Sequence, residues 1–260
     1  MSKGHWTNTG EPHSARVYHY HIGGTEYFPA DAEAAGRAAA QWPLMPNSMK
    51  INRKTMERMA RWLADTGIRQ FIDVGAGLPK SPNLHEIVQR ADPTARVIYA
   101  DNDPLVLENA RALLTSSPTG TTRYVHADVR RPESLLRHED VQSVIDFEEP
   151  VAVTIIAMLQ FIDDETARKI VDTLVALLAP GSYLGLTTTT ADLAPDLTAM
   201  ADELTRSGIT MHVRTREQVL DLLSGYELVE PGVVPMHHWP RHTGEPDDEV
   251  GMHAAMIRIG

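Results

Sequence analysis

Two glycines and three acids carry the first chemical signal in this chain. Gln70-Phe71-Ile72-Asp73-Val74-Gly75-Ala76-Gly77 is an apolar run that ends in an acid and a Gly-x-Gly turn. A second run, Val97-Ile98-Tyr99-Ala100, ends in Asp101, 24 positions after Gly77. Glycine lets backbone approach a ligand because no Cβ intervenes, and Gly75 and Gly77 would also expose N–H groups to it. A turn that merely needs positive φ would use the same residues. Asp101 sits where a ribose presents its hydroxyls, and a carboxylate accepts two of them; capping a helix ahead of Pro104 is its plainer role. Asp128, in His126-Ala127-Asp128-Val129, offers an acceptor to an adenine amino group. The pattern predicts a nucleoside-type cofactor lying across strand ends. An NAD(P)-dependent oxidoreductase is the alternative, but Lys80 fills the third glycine slot of its fingerprint and Pro79 disturbs the helix start.

Three further clusters carry reactive side chains. Tyr18-His19-Tyr20-His21 precedes Gly23-Gly24. It reads either as a lid or as a helix packing Val17 and Tyr20 on the domain. His19 or His21 is a candidate general base, since imidazole titrates near neutral pH. Ala157-Met158-Leu159-Gln160-Phe161 ends the fourth strand, and Gln160 is its polar side chain, placed to orient a substrate. In Met236-His237-His238-Trp239 adjacent side chains of an extended chain diverge. No metal is therefore expected, and His237 is a candidate pocket residue. Arg16 reads as a surface arginine or as a partner for a carboxylate of cofactor or substrate. Arg214 and Arg216 read as a solvated helix start.

The chain has 260 residues, 42% of them hydrophobic, with 24 basic and 35 acidic residues and a net charge of −11. That balance disfavours a phosphate backbone as partner. With no cysteine, disulfides and thiolate catalysis are excluded. The first residues lack the apolar core of a signal peptide, and no apolar run approaches membrane-spanning length. A cytoplasmic protein with a small-molecule substrate is expected, its oligomeric state undetermined.

The elements that must position these groups follow from periodicity. Residues 1–14 read as a flexible tail. Helices are predicted over 31–42 and 47–66. In the second, Met56, Met59, Ala60 and Leu63 recur on one face, and Gly67 suits the position after the cap. Strands at 70–74, 96–100, 122–126, 151–156, 182–187, 226–230 and 251–259 alternate with helices near 83–91, 104–114, 132–137, 165–178, 195–207 and 215–223. This alternation predicts an α/β fold with a parallel sheet covered on both faces. No helical pattern joins the last two strands, so the terminal strand is expected to be antiparallel.

These residues resemble the class I S-adenosylmethionine-dependent methyltransferases. Asp73-Val74-Gly75-Ala76-Gly77 looks like their first motif, Asp101 like the ribose acid, and His126-Ala127-Asp128-Val129 like the segment that meets adenine. Leu178–Leu184 and Gly225–Gly232 look like the approaches to strands five and six. A bacterial subgroup is similar in more detail, through Ala15-Arg16-Val17-Tyr18, Gly77-Leu78-Pro79, Asn83-Leu84-His85-Glu86 and Tyr99-Ala100-Asp101-Asn102-Asp103-Pro104. His19 stands where that subgroup usually has Asp. The resemblance implies a Rossmann-like, seven-stranded sheet over 67–260 and an N-terminal helical cap over 15–66. It implies S-adenosylmethionine as cofactor, held by Asp73, Gly75, Ala76, Gly77, Asp101, Asn102, Asp128 and Val129, with Tyr18 and Tyr20 as aromatic faces for the sulfonium. Methyl transfer to an O, N or C atom of a small molecule, with His21, Gln160 and His237 on the substrate side, is the implied activity, and secondary metabolism the expected setting. A cofactor-dependent cyclase or a non-catalytic cofactor-binding protein are the alternatives.

Overall fold

The computed structural model describes residues 9–106, 108, 115–241, 243–244 and 246–260. Residues 1–8 of the predicted tail and most of the predicted helix over 104–114 lie outside the described residues; 104–106 are helical.

Three helices open the chain: α1 (Ser14–His21), α2 (Pro29–Gln41) and α3 (Met45–Asp65). The last ends as the sequence suggests. Gly67, at φ 98°, donates to the Ala64 carbonyl and Ile68 to the Leu63 carbonyl, satisfying the final turn. Then come β1 (Gln70–Val74), α4 (Leu84–Ala91), β2 (Arg96–Asp101), β3 (Thr121–His126), α5 (Pro132–Leu136), α6 (Glu139–Val144) and β4 (Ala152–Ile156). The chain continues through α7 (Asp164–Val175), β5 (Tyr183–Thr189), α8 (Asp196–Arg206), α9 (Arg216–Leu222), β6 (Glu227–Leu228), β7 (Val234–Pro235) and β8 (Met252–Arg258).

The sheet runs β3-β2-β1-β4-β5-β8-β6, with β7 also pairing β8. Neighbours from β3 to β5 are parallel; β8 is antiparallel to β5, β6 and β7. The count of seven strands is thus corrected to eight. The difference is the two-residue β7, too short to show a period in sequence.

Strand alternation sorts the two cores. Phe71, Val97, Tyr99 and Ala152 face one layer, with α1–α4 and α8. Ile72, Val74, Ile98, Val153 and Ile155 face the other, with α5–α7 and α9. Asp73 and Asp101 share parity with Phe71 and Tyr99, so both acids lie on the face that carries the N-terminal helices. α3 packs along that face with Met59 and Leu63 fully buried, each worth about 1.5–3 kcal/mol of burial. α2 lies against α8 through Ala34, Ala35 and Ala38, whose small side chains allow close approach.

α1 is held down electrostatically. Arg16 is 5% exposed, not a surface residue. Its Nε donates to Asp31 at 2.8 Å and its Nη1 to Asp103 at 3.0 Å. Asp31 also accepts from the His13 and Phe28 amides, both at 2.8 Å. Arg214 likewise proves buried, donating to Asp164 and to the carbonyls of Leu159 and Ile162. A basic residue before a helix looks solvated in sequence; here carbonyls in and just after the 3₁₀ turn that follows β4 take it inside. Among the described residues no helix is long and apolar enough to cross a membrane.

Candidate active site

A cavity of about 410 Å³ opens at the carboxyl ends of β1, β2 and β4, beneath α1 and α3. Open parallel sheets place ligands at such strand ends, and the volume is within the range of ligand pockets. Asp73, Gly75, Ala76, Gly77, Asp101, Asn102, Asp128, Val129, Tyr18 and Gln160 all line it.

The glycine turn contributes space rather than donors. Gly75 and Ala76 donate to the Ala100 carbonyl at 2.8 and 3.1 Å, and Gly77 donates to Asp101 Oδ2 at 2.8 Å. The expectation that the Gly75 and Gly77 N–H groups stand exposed is corrected, because the neighbouring strand end satisfies them. Gly77 has φ +64°, borders the cavity, and a Cβ there would meet nothing within 4 Å. Gly75 has φ +73° and a Cβ there would come within 2.5 Å of Met158 Cγ. One glycine leaves room for a ligand, the other for a neighbouring side chain.

The acids differ in state. Asp73 is buried, accepts from the Thr154 hydroxyl at 2.6 Å, and burial lifts its pKa to about 6. Thr154 is its register partner on β4. Asp101 accepts from the amides of Gly77 and Asp103, and burial raises its pKa too. Asp128 is gripped by Arg130, whose Nε lies 2.9 Å from Oδ1 and Nη2 2.7 Å from Oδ2; that guanidinium holds the carboxyl below its ordinary range. Each carboxylate keeps further lone pairs for a ligand.

The structure divides the N-terminal aromatic cluster. Ala15, Tyr18, His19 and Ile22 line the cavity, the i, i+3, i+4, i+7 face of a helix. Tyr20 lies about 200° round the helix from Tyr18 at 100° per residue; it is 36% exposed and packs edge-on against Tyr27. His21 is buried outside the lining, and burial drives its pKa down to about 4. Tyr18 accepts from Asn52 and donates to the Met49 carbonyl. His19 Nε2 lies 2.6 Å from Glu26; burial lowers its pKa. Pro12, His13 and Ser14, predicted as tail, also line the cavity.

On the β4 side, Gln160 Nε2 donates to the Ala157 carbonyl at 2.8 Å, while its buried Oε1 has no protein partner. Ala157 itself holds φ 52°, a strained value for a residue with a Cβ. His237 is fully buried but lies outside the lining. The extended-chain argument about it is also corrected: Met236–His238 is a 3₁₀ turn, and both histidine Nε2 atoms come 3.0 Å from Asp247 Oδ1.

Sequence reasoning missed Arg53 and the methionines. Arg53, on α3, lines the cavity, donates to the carbonyls of Lys80 and Pro82, and leaves its buried Nε without a partner. No motif marks it; only the docking of α3 brings it to the turn after Gly77. Seven of the chain's eleven methionines line the cavity. Met45, Met49 and Met56 come from α3, Met158 from the turn after β4, Met200 from α8, Met211 from the segment between α8 and α9, and Met252 from β8. Helical periodicity marked Met56, but as core.

A mostly parallel sheet with helices on both faces, an antiparallel final strand, a glycine turn after β1 and an acid after β2 define the class I methyltransferase fold. The chain belongs to the S-adenosyl methyltransferase family, whose model matches residues 2–260. It is 42% identical to a DUF574-family protein from Streptomyces avermitilis, with a TM-score of 0.93 over 97% of this chain and 99% of that one. A solved protein from Thermobifida fusca, provisionally termed a methyltransferase, is 37% identical with a TM-score of 0.88 over 97% of this chain and 96% of its own. A curated relative from Mycolicibacterium paratuberculosis, provisionally named an S-adenosyl-L-methionine-dependent methyltransferase, is 27% identical over 198 residues. That match spans 74% of this chain and 56% of the relative.

Proposed function

We propose that the chain transfers the methyl group of S-adenosylmethionine to an O, N or C atom of a small apolar molecule. The observation that carries this reading is the open space beside Gly77, flanked in the same cavity by Asp73 and Asp101. The residues fit the cofactor. Asp101 would take the ribose hydroxyls, while Asn102, Asp128 and Val129 would meet the adenine. Asp73 would take the α-ammonium and Arg53 the carboxylate, as a guanidinium suits. Tyr18 would offer an aromatic face to the sulfonium. Several carboxylates around the crevice suit a cofactor with two cationic centres.

The cofactor supplies an activated methyl group with a good leaving group. The protein's part is alignment and exclusion of water. α1 covers the crevice, and Gln160 Oε1 would accept from the acceptor's hydroxyl or amine. His19, which lines the cavity, is better placed than His21 to take a proton. The methionine-rich wall toward β5 and β8 is flexible and apolar, which suits an aromatic or alkyl acceptor. Such an acceptor fits a place in secondary metabolism. The net charge of −11 argues against a nucleic-acid substrate.

The test is incubation with methyl-labelled cofactor and a panel of aromatic alcohols and amines, alongside calorimetry with S-adenosylhomocysteine. Label in the product supports the reading. Product without label, or no binding of S-adenosylhomocysteine, overturns it.

A further inference from the structure

The excursion from β7 to β8 carries a second cluster, away from the crevice: none of the described residues between 236 and 250 lines the cavity. We propose that His237, His238 and Asp247 bind one divalent transition-metal ion, with zinc as the best match. A 3₁₀ turn advances about 120° per residue, against 180° in a strand, and so brings neighbouring side chains together. The two imidazole centroids lie 4.2 Å apart. Each Nε2 stands 3.0 Å from Asp247 Oδ1, and the three donor atoms lie within 4.8 Å of one another. A tetrahedron with metal–ligand bonds of about 2.0 Å has edges of about 3.3 Å, which both imidazole–carboxylate separations already approach. Two imidazoles and one carboxylate form a borderline donor set that suits zinc, copper or nickel rather than magnesium or calcium.

The scaffold around the ligands is stiff. The Met236 carbonyl accepts from Thr55, and the Trp239 carbonyl from Arg58. Trp239 is fully buried against Trp62. The turn that carries Asp247 (Asp247–Glu249) is tied to α3 separately, by Asn47 donating to Glu249 at 3.1 Å. Exposure rises from 0% at His237 to 25% at His238 and 56% at Asp247, so an ion would arrive from solvent and seat on the buried imidazole. It would link the two turns and hold the excursion on α3. This inference does not rest on the methyl-transfer reading.

The test uses tag-free protein, stripped with EDTA and dialysed, then titrated with zinc chloride by calorimetry. Bound metal is counted by atomic emission, and cobalt is substituted to read tetrahedral absorption bands. One ion per chain with micromolar or tighter affinity is expected, together with a rise in Tm on zinc addition. His238→Ala and Asp247→Asn, both at exposed or half-buried positions, should weaken zinc by about tenfold or more while keeping the circular dichroism spectrum and S-adenosylhomocysteine binding. Absence of zinc uptake, or uptake unchanged in both variants, overturns the proposal.

Discussion

At the β1–β2–β3 end of the crevice the polar groups are tightly assigned. Asp101 holds two amides, Asp128 holds Arg130, Asp73 holds Thr154, and Arg16 bridges Asp31 and Asp103. The wall toward β5 and β8 is the opposite: Met200, Leu204, Ile209, Met211 and Met252, with the polar exceptions few. One end is preorganised to recognise a fixed ligand through directional bonds. The other offers soft, rotatable side chains that can repack around different shapes. A conserved cofactor and a variable acceptor would call for that division.

The comparison can be broken most severely at Arg16. Arg16→Ala leaves the buried carboxylates of Asp31 and Asp103 uncompensated and should cost about 3–5 kcal/mol, read as a lower urea midpoint. Asp101→Ala should weaken S-adenosylhomocysteine by about a hundredfold, about 3 kcal/mol for lost charge-assisted bonds, while acceptor selectivity is unchanged; calorimetry decides.

Asp73 gives a pH signature. Its folded pKa of about 6 exceeds the ordinary 3.8, so between those values the folded state binds more protons and stability falls as pH rises. The cost is absent below pH 3.8 and complete above pH 6, on the order of 3 kcal/mol. Asp73→Asn should therefore stabilise the cofactor-free protein at pH 8, match it near pH 4, and weaken the cofactor; thermal melts across pH check this.

Smaller effects sharpen the contrast. Gln160→Leu should raise the acceptor KM about tenfold, one hydrogen bond's worth, with the cofactor Kd unchanged. Met200→Leu conserves volume and should shift stability by less than about 1.5 kcal/mol while altering acceptor preference in competition assays.

Much of the polar end of the crevice was legible in the sequence because its signals are local. Asp73, Gly77 and Asp101 end apolar runs, and strand ends in a parallel sheet converge. Only Tyr18 of the two aromatic candidates reaches the cavity, since helical phase, unreadable before α1 was known to be a helix, separates it from Tyr20. His21 and His237 had suitable chemistry but not the position. Arg16 and Arg214 looked solvated because sequence does not show which carboxylates and carbonyls lie opposite.

The sequence by itself determined the alternating strands and helices, the antiparallel end, the glycine turn and the acids at the ends of β1 and β2 and just after β3, because each rests on periodicity or on chain neighbours. Only the tertiary structure decided that α1 and α3 close the crevice, that Arg53 reaches the loop after Gly77, that methionines from three parts of the chain share one wall, and that His237, His238 and Asp247 converge. Those arrangements depend on side chains far apart in the chain, whose meeting is set by how helices dock on the sheet.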